Sequence, residues 1–167
     1  DVTNLDNNIS EPTENYTVAL TGNVNGNTDF ENLVVDNTAV TTNIIDNEGV
    51  PTLSIDDVTV NEDAGTMVFT VTLSNPSTDN VTFDFATATG SADQDVDYTG
   101  ITGSGTITAG TTTTTITVPI TDDAYAEGAE NFEVNLSNPV NATILDGMGV
   151  GTITDEPTAG PEDTTTV

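Results

Sequence analysis

The sequence predicts an all-β fold, an immunoglobulin-like antiparallel β-sandwich. Three observations point to it. Apolar residues alternate with polar ones in short runs rich in Val, Ile, Thr and Phe, the pattern of half-buried strands. Gly, Asn, Asp, Ser or Pro bound each run. No stretch carries the i, i+3, i+4, i+7 apolar spacing of a helix. From residue 50 onward this gives about seven short strands in roughly 105 residues, the density of a two-sheet sandwich.

Residues 1–49 open with Asn15-Tyr16-Thr17-Val18-Ala19-Leu20, which reads as a strand. Leu33-Val34-Val35 and the run 40–45 read as further strands, and Asn25-Gly26 is a turn signal. Next come Thr52-Leu53-Ser54-Ile55 and Val58-Thr59-Val60, then the runs 67–73 and 81–85. Gly105-Thr106-Ile107, the run 114–120, Phe132-Glu133-Val134-Asn135-Leu136 and Val150-Gly151-Thr152-Ile153 complete the series. Val, Ile and Phe on one side and Thr and Ser on the other suit two sheets facing each other. Asp146-Gly147 and Asp36-Asn37 read as plain turns.

The chain also repeats itself. The segment 11–20, Glu-Pro-Thr-Glu-Asn-Tyr-Thr-Val-Ala-Leu, aligns without a gap to 127–136, Glu-Gly-Ala-Glu-Asn-Phe-Glu-Val-Asn-Leu. Ile44-Ile45-Asp46-Asn47-Glu48 parallels Ile153-Thr154-Asp155-Glu156. Residues 1–49 thus match the C-terminal half of the unit that occupies 50–156. The tail 157–167 ends in Thr164-Thr165-Thr166-Val167, like the Thr-rich strand before Asp122. Followed by Asp1 of another copy, it would continue in the order of the complete unit. Residues 157–167 are therefore expected to be a linker and strand that completes the 1–49 half of a neighbouring copy, through a covalent repeat or a donated strand.

Composition narrows function. The 167 residues include 28 Asp and Glu but no Lys, Arg, His, Cys or Trp, a formal net charge of −28. No thiolate, imidazole or amine is available for nucleophilic or general-base work. No His or Cys can hold zinc, copper or haem. Nothing can neutralise nucleic-acid phosphates, and an anionic membrane would repel the chain. No apolar run is long enough to span a bilayer. Every carboxylate must be solvated, hydrogen-bonded, or bound to a cation from outside.

Three separated motifs resemble the Calx-beta domain family, the sandwich module of sodium/calcium exchangers, integrin β4 and large bacterial surface proteins. They are Val60-Asn61-Glu62-Asp63-Ala64-Gly65, then Asp95-Val96-Asp97-Tyr98, and the acidic stretch 120–139. The resemblance covers 50–156 and, as a C-terminal half, 1–49. It implies Ca²⁺ at one end of the sandwich. Carried over residue by residue, the ligands are Glu62, Asp97, Asp123, Glu127, Glu130 and Asp155, with the Tyr125 carbonyl. In 1–49 the matching positions are Asn7, Glu11, Glu14 and Asp46, with the carbonyl of Ile9; Asp46 and Glu48 sit at the junction with the complete unit. Asn7 stands where Asp is expected, so a site there would be weaker or would borrow from a neighbour.

Elementary chemistry points the same way. Asp122, Asp123, Glu127 and Glu130 crowd four carboxylates into nine residues. Without a cation they repel one another; Ca²⁺, which takes six to eight oxygens, turns repulsion into coordination. The expected function is a calcium-stabilised structural building block of an extracellular fibre, giant repeat adhesin or surface assembly, with copies of itself as partners. A ligand-binding adhesion module and a calcium-responsive regulatory domain are the alternatives. Neither an enzyme, nor nucleic-acid binding, nor membrane insertion is expected.

Overall fold

The computed structural model describes residues 8–19, 38–122 and 128–154. Within them lie eleven strands. In residues 8–49 these are β1 (Glu14–Val18) and β2 (Val40–Ile44). The sandwich holds β3 (Thr52–Ile55), β4 (Val58–Asn61), β5 (Thr66–Leu73), β6 (Val81–Thr89), β7 (Thr102–Ile107), β8 (Thr113–Pro119), β9 (Glu130–Val140), β10 (Thr143–Asp146) and β11 (Met148–Thr154).

Two sheets make the sandwich. One has the order β10-β3-β5-β8 and the other β4-β11-β9-β6-β7. Pairing is antiparallel except where β10 runs parallel to β3 and β4 parallel to β11. The chain therefore crosses between sheets at Asp56-Asp57. Asp56 accepts the Thr70 N–H at 2.6 Å and Asp57 the Val150 N–H at 2.8 Å, so two carboxylates stand in for strand partners at the crossing.

Alternation fills the core as the sequence pattern requires. Met67, Phe69, Val71 and Leu73 of β5 point inward, as do Ile116 and Val118 of β8. Facing them are Val81 and Phe83 of β6 and Phe132, Val134 and Leu136 of β9. Phe132 is the hinge of this packing. Its ring stacks on Tyr98 with centroids 4.2 Å apart and meets Phe69 of the opposite sheet edge-on at 6.0 Å. Gly103 and Gly105 of edge strand β7 lie against the rings of Phe85 and Phe83, so the cross-strand aromatics take the space a Cβ would need.

Two elements add to the sequence expectation. Thr143–Asp146 is a strand leading into the expected Asp146-Gly147 turn, because it finds the free edge of β3. Glu62–Ala64 is a turn of 3-10 helix. Asn61 caps it by accepting the Asp63 N–H, and Gly65 ends it at φ +68°, where a side chain is disfavoured. The expected strand Leu33-Val34-Val35 and the tail 157–167 lie outside the described residues.

Candidate metal centre

Five segments meet at one end of the sandwich. The 3-10 turn follows β4, and its Gly65 carbonyl accepts the Ile120 N–H at 3.0 Å. The next residue, Thr121, donates its N–H to the Asp97 carbonyl at 2.9 Å. The end of β8 thus ties the Glu62 turn to the Asp97 loop. On the other sheet, Thr154 lies beside Asn61 and Ile153 lies opposite Glu130. The Ser91 hydroxyl accepts the Asn131 N–H, and Ala92 donates to the Asn131 carbonyl. These contacts pin the loop after β6 against the start of β9.

Glu62, Asp97 and Glu130 are therefore carried to the same end. Glu62 is buried at 9% exposure in a chain with no cationic side chain. Asp97 and Glu130 are half-buried. Asp97 accepts the Asp93 N–H at 2.6 Å, which closes its loop upon itself. Asp123, Tyr125, Glu127 and Asp155 lie outside the described residues. Among the described residues, no group of three carboxylates is close enough together to hold an ion. The donor set is all oxygen, which suits a hard cation such as Ca²⁺ and no soft one.

Asp93, and Asp95 of the Asp95-Val96-Asp97-Tyr98 motif, are not among the ligands that the resemblance implies. They alternate with Asp97 in Asp93-Gln94-Asp95-Val96-Asp97, a spacing visible in the sequence. Asp95 takes a left-handed conformation at φ +67°, tolerated by Asp better than by most residues. Beneath this loop the Tyr98 hydroxyl is buried without a hydrogen-bond partner among the described residues. Burial, then the charges of Asp95, Asp93 and Asp97, push its ionisation above the ordinary tyrosine value.

The opposite end of the sandwich meets residues 8–19. Ser10 forms a parallel bridge with Ser77, donating its N–H to the Pro76 carbonyl at 2.9 Å and accepting the Thr78 N–H at 3.2 Å. Of the expected junction residues, Ile9, Glu11, Asp46 and Glu48 are half-buried and Glu14 is exposed. Asn7 lies outside the described residues. The Glu11 N–H donates to Asp46 Oδ2 at 3.0 Å. That bond, opposed by partial desolvation and aided by the Glu48 side chain and backbone, holds the Asp46 carboxyl below its ordinary range.

Comparison with known proteins fits these observations. The Calx-beta domain family matches residues 1–48 and again 45–156. The chain belongs to the Calx-beta domain family. Among solved structures it is similar to the apo-form Calx CBD1 domain, at 20% identity and a TM-score of 0.61, over 65% of this chain and 99% of that one. The calcium binding domain CBD12 of CALX1.1 matches at 21% identity and 0.60, over 65% of this chain and 47% of that one. The Calx CBD2 domain matches at 13% identity and 0.58, over 65% and 91%. At such identities the likeness is one of fold. A search of curated proteins found no match.

Proposed function

We propose that this chain is a calcium-stabilised structural building block of an extracellular repeat assembly, a fibre, giant adhesin or surface layer, in which Ca²⁺ stiffens the ends and junctions of Calx-beta sandwiches. The observation that carries it is the gathering of Glu62, Asp97 and Glu130 at one end of a sandwich in a chain without a basic residue. Glu62, Asp97, Asp123, Glu127, Glu130 and Asp155, with the Tyr125 carbonyl, are the proposed ligands there. A second ion at the junction would draw on Glu11, Glu14, Asp46, Glu48 and Asn7, with the carbonyl of Ile9. The Glu11 N–H bond to the Asp46 carboxylate, next to the Ser10–Ser77 bridge, supports that position.

In this reading calcium does no chemistry. It removes carboxylate repulsion and fixes loops that otherwise repel. The remaining charge is a solvated coat, whose self-repulsion salt screens beyond about 10 Å. Copies of the unit in series are the proposed partners.

Titration calorimetry of Ca²⁺ into the chelator-stripped chain tests the reading. Saturable binding, weakened in E62Q and E130Q, is expected. Absence of binding heat at any temperature, with no change in melting, would refute it.

A further inference from the structure

Charge is unevenly placed along this chain. Asp and Glu make up 28 of the 167 residues, yet Tyr98 to Thr121 holds none. No other stretch without a carboxylate is as long. It folds into β7 (Thr102–Ile107) and β8 (Thr113–Pro119). β7 ends the five-stranded sheet and β8 ends the four-stranded one, and the two lie side by side on one flank of the sandwich.

Both strands have an open edge among the described residues. The Leu73 N–H bonds the Thr112 carbonyl, and backbone groups of an antiparallel pair point alternately toward and away from the partner. Thr114, Ile116 and Val118 therefore turn theirs toward β5, and Thr113, Thr115 and Thr117 turn theirs outward. The Pro119 carbonyl, next in the outward series, accepts the Thr99 N–H at 3.0 Å, so only that end of the edge is covered. In β7 the Thr87 N–H bond to the Ile101 carbonyl sets the same alternation, and Thr102, Ser104 and Thr106 face outward. These six residues are exposed, and each carries a hydroxyl.

The opposite flank is built differently. There β10 has a register shift between Ile144 and Asp146, and β4 lies between Asp56-Asp57 and Glu62-Asp63. Bulges and charges are the usual devices that keep an edge strand from pairing. The β7–β8 flank has neither. Its two ladders run in unbroken register. The one carboxylate of neighbouring β6, Asp84, is held by Ser104 and Asn138.

We propose that this flank is a side-by-side interface with a second copy of this chain, β8 pairing antiparallel with β8 about a two-fold axis at Thr115. Thr113, Thr115 and Thr117 of one strand meet Thr117, Thr115 and Thr113 of the other, with about six backbone hydrogen bonds. Charge selects the occupant. Two chains of net charge −28 repel wherever carboxylates meet, and on this flank they do not meet. A basic partner finds its attraction on every other side of the molecule. The contact is lateral, distinct from the copies in series proposed above, and it needs no Ca²⁺.

The chain has no Cys, so a single introduced thiol reports the contact. Two-fold pairing sets the Thr115 Cα atoms about 5.5 Å apart, within disulfide reach. Oxidised glutathione should cross-link Thr115→Cys far faster than Leu145→Cys, a thiol placed on β10 where Leu145 is 76% exposed. Sedimentation equilibrium of the unaltered chain, in Ca²⁺ and in chelator, should show a dimer forming between about 10 µM and about 1 mM. Raising salt from about 0.05 M to about 0.5 M should tighten it at least about tenfold, because screening relieves the self-repulsion. Thr115→Asp should abolish the dimer. So should Thr115→Pro, which removes an outward N–H and no bond to β5. Circular dichroism should show both variants folded. A monomer at about 1 mM in about 0.5 M salt, with equal cross-linking of the two thiols, would overturn the proposal. So would a dimer that survives Thr115→Asp, or one that forms only with Ca²⁺, which would make cation bridging the cause.

Discussion

Replacing Phe132 with alanine strikes the residue on which both sheets converge. The ring has no exposure, stacks on Tyr98 and meets Phe69 edge-on. Losing its burial alone costs about 1.5–3 kcal/mol. The cavity left between two sheets that cannot collapse raises the cost to about 3–5 kcal/mol. Against a domain stability of about 5–15 kcal/mol, that is a large share. At a urea dependence of about 1.5 kcal/mol per molar, the unfolding midpoint of F132A falls by about 2–3 M. Tyr16→Ala is the internal control. Tyr16 holds the same register position in β1 but is only half-buried, so Y16A should shift the midpoint by less than about 0.5 M. Urea unfolding followed by far-ultraviolet circular dichroism measures both. Equal shifts in the two variants, or a shift in F132A below about 0.5 M, would refute the packing argument.

Further outcomes follow from particular contacts. Gly105→Ala should cost about 1–3 kcal/mol, because the new Cβ runs into the Phe83 ring across the β6–β7 pair; thermal unfolding reads it. Asp84 accepts from Ser104 Oγ at 2.6 Å and Asn138 Nδ2 at 2.9 Å, which lowers its pKa from 3.8. A lowered folded-state pKa stabilises above the unfolded value and is lost as pH falls through the lower one, so the acid limb of the stability curve should be shallower in D84N. Glu62→Gln removes one carboxylate from the proposed calcium end, and Ca²⁺ affinity measured by calorimetry should drop about tenfold or more.

Much of the fold was legible because its determinants are local. Alternation placed β5, β8 and β9, and the Asn61–Gly65 motif marked the turn that carries Glu62. What local pattern does not encode is pairing. The parallel neighbours β4–β11 and β10–β3 join residues about ninety positions apart, and no residue in Thr143–Asp146 announces an edge strand rather than a turn. The Ser10–Ser77 bridge was equally silent, since a single backbone bridge leaves no mark on side-chain choice. For the site, residue type suggests candidates and does not place them. The acidic motifs named Glu62, Asp97 and Glu130, and strand order brings all three to one end. The same logic missed Asp56, Asp57 and Asp84, whose carboxylates serve as hydrogen-bond partners of the fold. In a chain without basic residues, a carboxylate has three fates: solvent, an N–H or hydroxyl donor, or a cation. Sequence alone does not sort them.

Thermal unfolding in Ca²⁺ and in excess chelator, at constant ionic strength, tests the central claim most directly. A ligand that binds only the folded form at 100 to 1,000 times its Kd stabilises by about 3–4 kcal/mol. For a domain of about 100 residues this raises Tm by roughly 12–30 °C. The account predicts a rise of that size with Ca²⁺, and its loss in a chain carrying both Glu127→Gln and Glu130→Gln. The same Tm in Ca²⁺ and in chelator would contradict it.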